Sequence, residues 1–254
     1  LISITVIADN NSLNENPEQV IVQMQSSLIQ VMKNGEKLGY EGRFKFLEPV
    51  IDQSHDIELI IKTILGSTYW SQLDHEQKQL IIKTFRELSI ATYASRFTQY
   101  EGEQFEVIEQ RDLPHEQKLV RSQLIKSDGG TVNFDYVLHK AEQGWRIVNI
   151  LFDGVSDLAI KRGEYRAVMQ RDGFQALIES LKEKIQQLDE VNRNLAERNA
   201  EVEQALAQLK HAQEELVKSE RLAVTGKMTA QLSHEINNPI HNIQSLLQSA
   251  LRKV

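Results

Sequence analysis

A heptad repeat between residues 177 and 222 limits the possible folds of this 254-residue chain more than any other feature of its sequence. Apolar residues recur there about every 3.5 positions, and charged or polar residues fill most of the positions between them. One seam position holds Leu181, Leu188, Leu195, Val202, Leu209 and Leu216, and the other holds Ile185, Asn192, Asn199, Leu206 and Gln213. The pattern predicts a parallel, dimeric coiled coil in which the seam asparagines fix the register. The alternative is one long helix that lies on a globular domain.

The residues in front of the repeat predict helices. Apolar residues at helical spacing occur in residues 17–38 and again in residues 43–66, which form one or two short helices. Asp74, with Gln77 three residues later, has the pattern of a capping box in a third helical segment that reaches residue 97. The chain is also expected to be helical on both sides of Gly173.

Strands follow these first helices, because the apolar period changes to two. The predicted strands are residues 103–110, 116–127, 131–141 and 144–154. An Asp-Gly-Gly turn at residues 128–130 predicts a hairpin, since these residues tolerate positive φ. On the third strand, one face carries Val132, Phe134, Tyr136 and Leu138. Helices first and an antiparallel meander second predict an α+β domain.

Composition excludes several classes of function. The formal net charge of −7 argues against a nucleic-acid-binding protein, which would carry a basic surface. The absence of cysteine excludes disulfides and thiolate metal sites, and the histidines show no metal-ligand spacing, so no metal site is expected. Residues 1–8 are apolar and a polar stretch follows, which is typical of a signal-peptide remnant, with a short first strand as the alternative.

The segment "SHEINNPIH" places His234 and Glu235 at the edge of an apolar helical stripe. A metal site does not fit, because His241 lies two turns away, about 10 Å along a helix. A neutral imidazole beside a carboxylate can act as a nucleophile, and phosphoryl transfer to it requires positioning and an ATP site. The alternative for an isolated His-Glu pair is a surface histidine on an ordinary helix.

The longer stretch "ERLAVTGKMTAQLSHEINNPIHNI" (residues 220–243) resembles the H-box of sensor histidine kinases, the dimerisation and phosphoacceptor helix. The resemblance covers only about residues 215–254. It implies that His234 is the phosphoacceptor, Glu235 its acid/base partner and Asn238 a residue that assists dephosphorylation of a response regulator receiver domain. It also implies that Pro239 bends the helix. No cofactor is expected in this chain: ATP and Mg²⁺ belong to a kinase domain not found within these residues, so the chain alone is not expected to autophosphorylate.

Residues from about 15 to 183 resemble a second family, the MlaC-type phospholipid-binding proteins of the toluene-tolerance and hopanoid-associated group. The resemblance rests on "FLEPVID", "YEGEQFEV", "VRSQLI" and the long stretches 64–97 and 144–185. It implies helices over a curved antiparallel sheet of the MlaC/NTF2-like type, with a cavity for a phospholipid. The expected cavity residues are Phe85, Tyr93, Val132, Phe134, Tyr136 and Leu138, although each alone could equally be a core residue.

These interpretations divide the chain into four parts: a leader (1–14), an MlaC-like sensor domain (15–176), a coiled-coil transmitter (177–222) and a truncated H-box helix (223–254). They predict a fragment of a dimeric sensor histidine kinase with a lipid-sensing input domain. The alternative is a non-enzymatic periplasmic lipid carrier with a helical tail. MlaC-type proteins act in the periplasm, whereas H-boxes act in the cytoplasm or at the inner membrane, so localisation stays open between these compartments.

Overall fold

The computed structural model describes residues 16–251, with side chains described for residues 16–243 except at positions 226, 230 and 234. The predicted leader lies outside the described residues. The chain divides into two compact units, with the boundary between Asn194 and Leu195. The elements in order are α1 Pro17–Lys33, α2 Gly35–Ser54, α3 Ile57–Trp70, α4 His75–Arg96, β1 Gln104–Leu113, β2 Gln117–Ile125, β3 Thr131–Ala141, β4 Gly144–Phe152, β5 Val155–Ser156, α5 Asp157–Arg171 and α6 Gly173–Leu251.

The first predicted helix is shorter than its apolar pattern indicates. It was expected over residues 17–38, but α1 ends at Lys33, and Asn34 separates it from α2. Gly35 begins α2 directly against the end of α4, since a Cβ built there would lie 1.6 Å from the carbonyl oxygen of Thr98. Only glycine permits so close an approach of two backbones.

Local signals in the sequence define the next helices. Asp74 and Gln77 form both hydrogen bonds of the predicted capping box at the start of α4. The predicted 43–66 segment is interrupted at His55, where the chain leaves α2 and pairs with the sheet. There the amide of Asp56 donates to the carbonyl of Ile147, 3.0 Å away, and the Asp56 carboxylate caps α3.

The five strands form one antiparallel sheet in the order β1-β2-β3-β4-β5, as an antiparallel meander requires. The predicted Asp-Gly-Gly hairpin joins β2 and β3: Gly129 has a φ of 82°, and the amide of Lys126 donates to the carbonyl of Gly130. One sheet face packs against the helices and supplies Phe134, Tyr136 and Ile147 to the core. The chain therefore has the predicted α+β fold.

The burial of the apolar side chains of the long helix α6 changes along its length. Its first part packs into the same core as α1–α4, with Leu177, Ile178 and Leu181 fully buried and Asn192 only 6% exposed. The first compact unit thus extends to Asn194, past the predicted domain boundary at residue 176. From Leu195 onward, the seam residues are exposed, including Val202, Leu206, Leu209 and Leu216. None of the helices in the described part of the chain is long and apolar enough to span a bilayer.

Candidate cavity and its mouth

A cavity of about 730 Å³ lies inside the first unit, between the helices and the covered face of the sheet. Its volume is in the range of small-molecule sites, and most of its lining is apolar or aromatic. The inner wall is formed by residues of α1, α3, α4 and α5 and of strands β3 and β4. These residues include Leu28, Ile57, Phe85, Leu88, Phe134, Tyr136, Ile147, Val148 and Tyr165.

Four of the six residues expected to line a lipid cavity lie on it: Phe85, Tyr93, Phe134 and Tyr136. Val132 and Leu138 do not. Leu138 is fully buried in the core beside the cavity, and Val132 packs against the core nearer the β2–β3 hairpin. All four β3 residues share one face of the strand, but the cavity meets only the middle of that face.

His55 belongs to a chain of hydrogen bonds in the cavity wall that sequence reasoning missed. The Ser54 hydroxyl donates to the Val50 carbonyl at 2.6 Å and lies 2.8 Å from His55 Nδ1. Nδ1 must therefore donate to Ser54, which leaves Nε2 to accept from the Tyr93 hydroxyl, 3.2 Å away. Burial lowers the pKa of His55 to about 4, so this imidazole is neutral at physiological pH.

The other polar groups of the inner wall also remain neutral. Burial raises the pKa of both the Tyr93 and the Tyr136 hydroxyls. Tyr136 Oη accepts a hydrogen bond from Gln25, which also donates to Ser122 at 2.7 Å. The hydroxyls of Ser89 and Thr92 donate to backbone carbonyls of α4. The interior is therefore uncharged, and the side chains of Ser89, Thr92 and Tyr93 already hydrogen-bond to other protein groups, which suits an apolar occupant.

The mouth of the cavity lies where the end of α4, the first turns of α5 and part of α6 meet. Its solvent-exposed lining residues are Arg96, Ile160, Glu164, Lys184, Gln187 and Val191. Glu164 and Lys184 form an ion pair at 3.1 Å across the mouth, from α5 to α6. Asp157 and Lys161, which also line the cavity, pair with each other within α5.

A buried clamp holds α6 beside this mouth. Arg43 Nη2 donates to Asn192 Oδ1 at 3.2 Å, and the Asn192 amide donates to Ser95 Oγ at 2.9 Å. Arg43 also donates to the carbonyls of Ala94 and Gly35. Since Ser95 also lines the cavity, the clamp links α6 directly to the cavity wall.

The residues of the predicted phosphoacceptor segment lie in α6. Glu235, Asn238 and Pro239 are exposed, and α6 continues through Pro239. The side chain of His234 lies outside the described residues. No cluster of three metal-ligating side chains occurs within the described part of the chain.

Comparison with known proteins gives three findings. The family model described as MlaC protein matches residues 22–183. A solved phospholipid-binding protein from Ralstonia solanacearum, determined in complex with a phospholipid, is 22% identical, with a TM-score of 0.61 over 68% of this chain and 99% of that one. The C4-dicarboxylate transport sensor protein DctB of Pseudomonas aeruginosa is 33% identical over 95 residues, which are 37% of this chain and only 16% of that protein.

Proposed function

This chain belongs to the MlaC protein family, which its residues 22–183 match, and from that premise we propose that it binds a phospholipid in its cavity and signals the bound lipid through α6. One observation carries the proposal: the apolar cavity of about 730 Å³ is lined both by the α+β fold and by α6. The same helix that contacts the occupant contains the residues that resemble a phosphoacceptor segment.

The cavity suits acyl chains because its interior is uncharged and aromatic. Phe134 and Phe152 meet edge to face with ring centroids 5.0 Å apart, and Phe85 meets Tyr165 at 6.3 Å in the same way. Such aromatic walls offer dispersion contacts to acyl chains. The solved relative was determined with a phospholipid, which supports the same class of ligand for this chain.

Lipid binding is tested on the whole chain by solvent extraction followed by a phosphorus assay. We expect about one phospholipid per chain, and we expect Ser89→Trp to lose it, because Ser89 lines the cavity. Ser26→Trp is the matched control, since Ser26 is exposed on α1 and outside the cavity. Protein that folds yet never carries lipid, even after incubation with phospholipid vesicles, contradicts the proposal.

The proposed transmitter is a homodimer in which two copies of α6 pair with each other from Leu195 onward. The seam residues Leu195, Val202 and Leu209 are 50% or more exposed although they are apolar. A parallel coiled coil with a second copy would bury them, and the heptad spacing fits that occupant. Asn199 is the seam asparagine that would fix the register, since Asn192 is already engaged by Arg43 and Ser95.

The proposed output is phosphorylation of His234 by ATP and Mg²⁺ held on a histidine-kinase ATP-binding domain. Glu235 would exchange the imidazole proton, Asn238 would assist dephosphorylation of a receiver domain, and Pro239 would bend the helix. The exposure of Glu235 and Asn238 on α6 supports access by such partners. Likeness to the sensor protein DctB supports the class of protein.

Phosphorylation is tested by supplying a histidine-kinase ATP-binding domain and labelled ATP to this chain. We expect acid-labile label on the wild type and none on His234→Ala. His211→Ala is the control, because His211 is an exposed histidine of the same helix. The absence of label, or label that survives His234→Ala, contradicts the output and leaves a lipid carrier as the better account.

A further inference from the structure

Five charged side chains line the cavity besides the neutral His55: Arg96, Asp157, Lys161, Glu164 and Lys184. Both carboxylates are paired with a lysine, Asp157 with Lys161 and Glu164 with Lys184. Arg96 makes no ion pair with any described residue. The lining therefore carries one uncompensated positive charge in a chain whose formal net charge is −7.

The position of Arg96 is defined by the cavity wall. Arg96 is the last residue of α4, and its guanidinium lies over the ring of Phe152, with Cζ 6.0 Å from the ring centroid. Phe152 itself lines the cavity. A guanidinium that lies over an aromatic ring keeps N–H donors that can form two parallel hydrogen bonds to one anionic group.

We propose that Arg96 binds the phosphate of the lipid, so that the mouth of the cavity selects phosphodiester lipids over uncharged lipids with the same acyl chains. This inference rests on the proposed lipid-binding function. Guanidinium and phosphate form a charge-assisted pair with matched bidentate geometry. The two lysines can contribute less, because each would first have to leave its carboxylate partner.

The arrangement also fixes which way the ligand enters. Acyl chains fill the neutral interior, beyond Phe134 and Tyr165, while the phosphate stays at the exposed end of α4. An uncharged diacylglycerol can fill the interior, but it has no anionic group that could pair with Arg96. Inorganic phosphate can meet Arg96 but leaves the interior empty, so it should bind far more weakly than a phospholipid.

The test uses the delipidated full chain and three probes: a fluorescent phosphatidylglycerol, the diacylglycerol with the same chains, and inorganic phosphate as a competitor. Arg96→Gln should weaken phosphatidylglycerol binding about tenfold, as loss of a charge-assisted contact does, and leave diacylglycerol binding unchanged. Arg96→Lys should recover part of the loss. Arg111→Gln, at an exposed arginine of β1 outside the cavity, should change neither.

Three results would overturn the assignment. Equal weakening of both lipids by Arg96→Gln would mean that Arg96 acts through the cavity structure. Unchanged binding of both lipids would mean that the phosphate lies elsewhere, although the lipid-binding function itself would stand. Competition by inorganic phosphate at the same concentrations as phospholipid would mean a site for free phosphate. If the wild type bound neither lipid, the proposed function would fail first.

Discussion

Asn192 Oδ1 in α6 accepts a hydrogen bond from Nη2 of the buried Arg43, with the two atoms 3.2 Å apart. Arg43 is 7% and Asn192 is 6% exposed, and Arg43 also donates to backbone carbonyls at the start of α2 and the end of α4. Asn192, a seam asparagine of the heptad repeat, thus forms hydrogen bonds within the globular unit. The last turn of α6 that belongs to this unit is therefore fixed by polar contacts of defined geometry.

Asn192→Ala should lower the free energy of unfolding of the first unit by about 1–3 kcal/mol, because it leaves a buried guanidinium with one unpaired donor. Urea unfolding followed by circular dichroism measures this change. Asn194→Ala, at an exposed position two residues along α6, should fall within about 0.5 kcal/mol of the wild type. Equal effects of the two substitutions would show that the clamp contributes no stability.

The neutral His55 should make stability depend on pH. Burial lowers its pKa to about 4 in the folded protein, whereas an unfolded histidine titrates near 6.5. As the pH falls, His55 is protonated in the unfolded chain before it is protonated in the folded protein. The stability that depends on neutral His55 is therefore fully present above pH 6.5 and is lost as the pH falls from 6.5 to 4. The loss is about 3 kcal/mol in total.

Nuclear magnetic resonance of the His55 ring tests this directly. We expect no titration of the folded imidazole between pH 8 and pH 5, and a proton on Nδ1 rather than Nε2, as the Ser54 and Tyr93 contacts require. A midpoint near 6.5 in the folded state would contradict both the burial and the hydrogen-bond assignment.

Phospholipid affinity should rise with acyl-chain length until the cavity is full. Each buried methylene contributes about 0.8 kcal/mol, which is roughly fourfold in affinity. Competition between lipids that share one headgroup and differ by two methylenes measures the slope. A flat series from the shortest chains onward would place the chains outside the cavity.

The exposed seam should control the oligomeric state. Leu206→Glu combined with Leu209→Glu should convert a dimer into a monomer, since charges at two adjacent seam layers oppose pairing. Sedimentation equilibrium compares this variant with Gln208→Glu, which adds a charge at an exposed position off the seam. Dimers of equal stability in both would place the interface elsewhere.

Sequence patterns predicted the features that depend on local physics. The capping box of Asp74, the hairpin at Gly129 and the order of helices and strands follow from residues close together in the chain. The family resemblance predicted six cavity residues, and four of them line the cavity. Each of these features needs only a few neighbouring residues or a known fold.

The remaining features depend on contacts between distant segments. A helix that packs on a globular core and a helix in a coiled coil share nearly the same apolar period, so Leu181 and Asn192 could not be separated from Leu195 and Leu209 by spacing alone. Arg96, Lys161 and Lys184 meet at one mouth from three helices. No local signal in the sequence joins them.

Hydrogen–deuterium exchange of α6, measured with and without bound phospholipid, tests whether this helix responds to the lipid. Lys184, Gln187 and Val191 line the cavity, and Asn192 holds the clamp. Phospholipid should slow exchange of the amides from residue 184 to 194, and Ser89→Trp should abolish this effect while Ser26→Trp retains it. Stoichiometric lipid binding with identical exchange in this segment would contradict a role for α6 as the output of the lipid-binding fold.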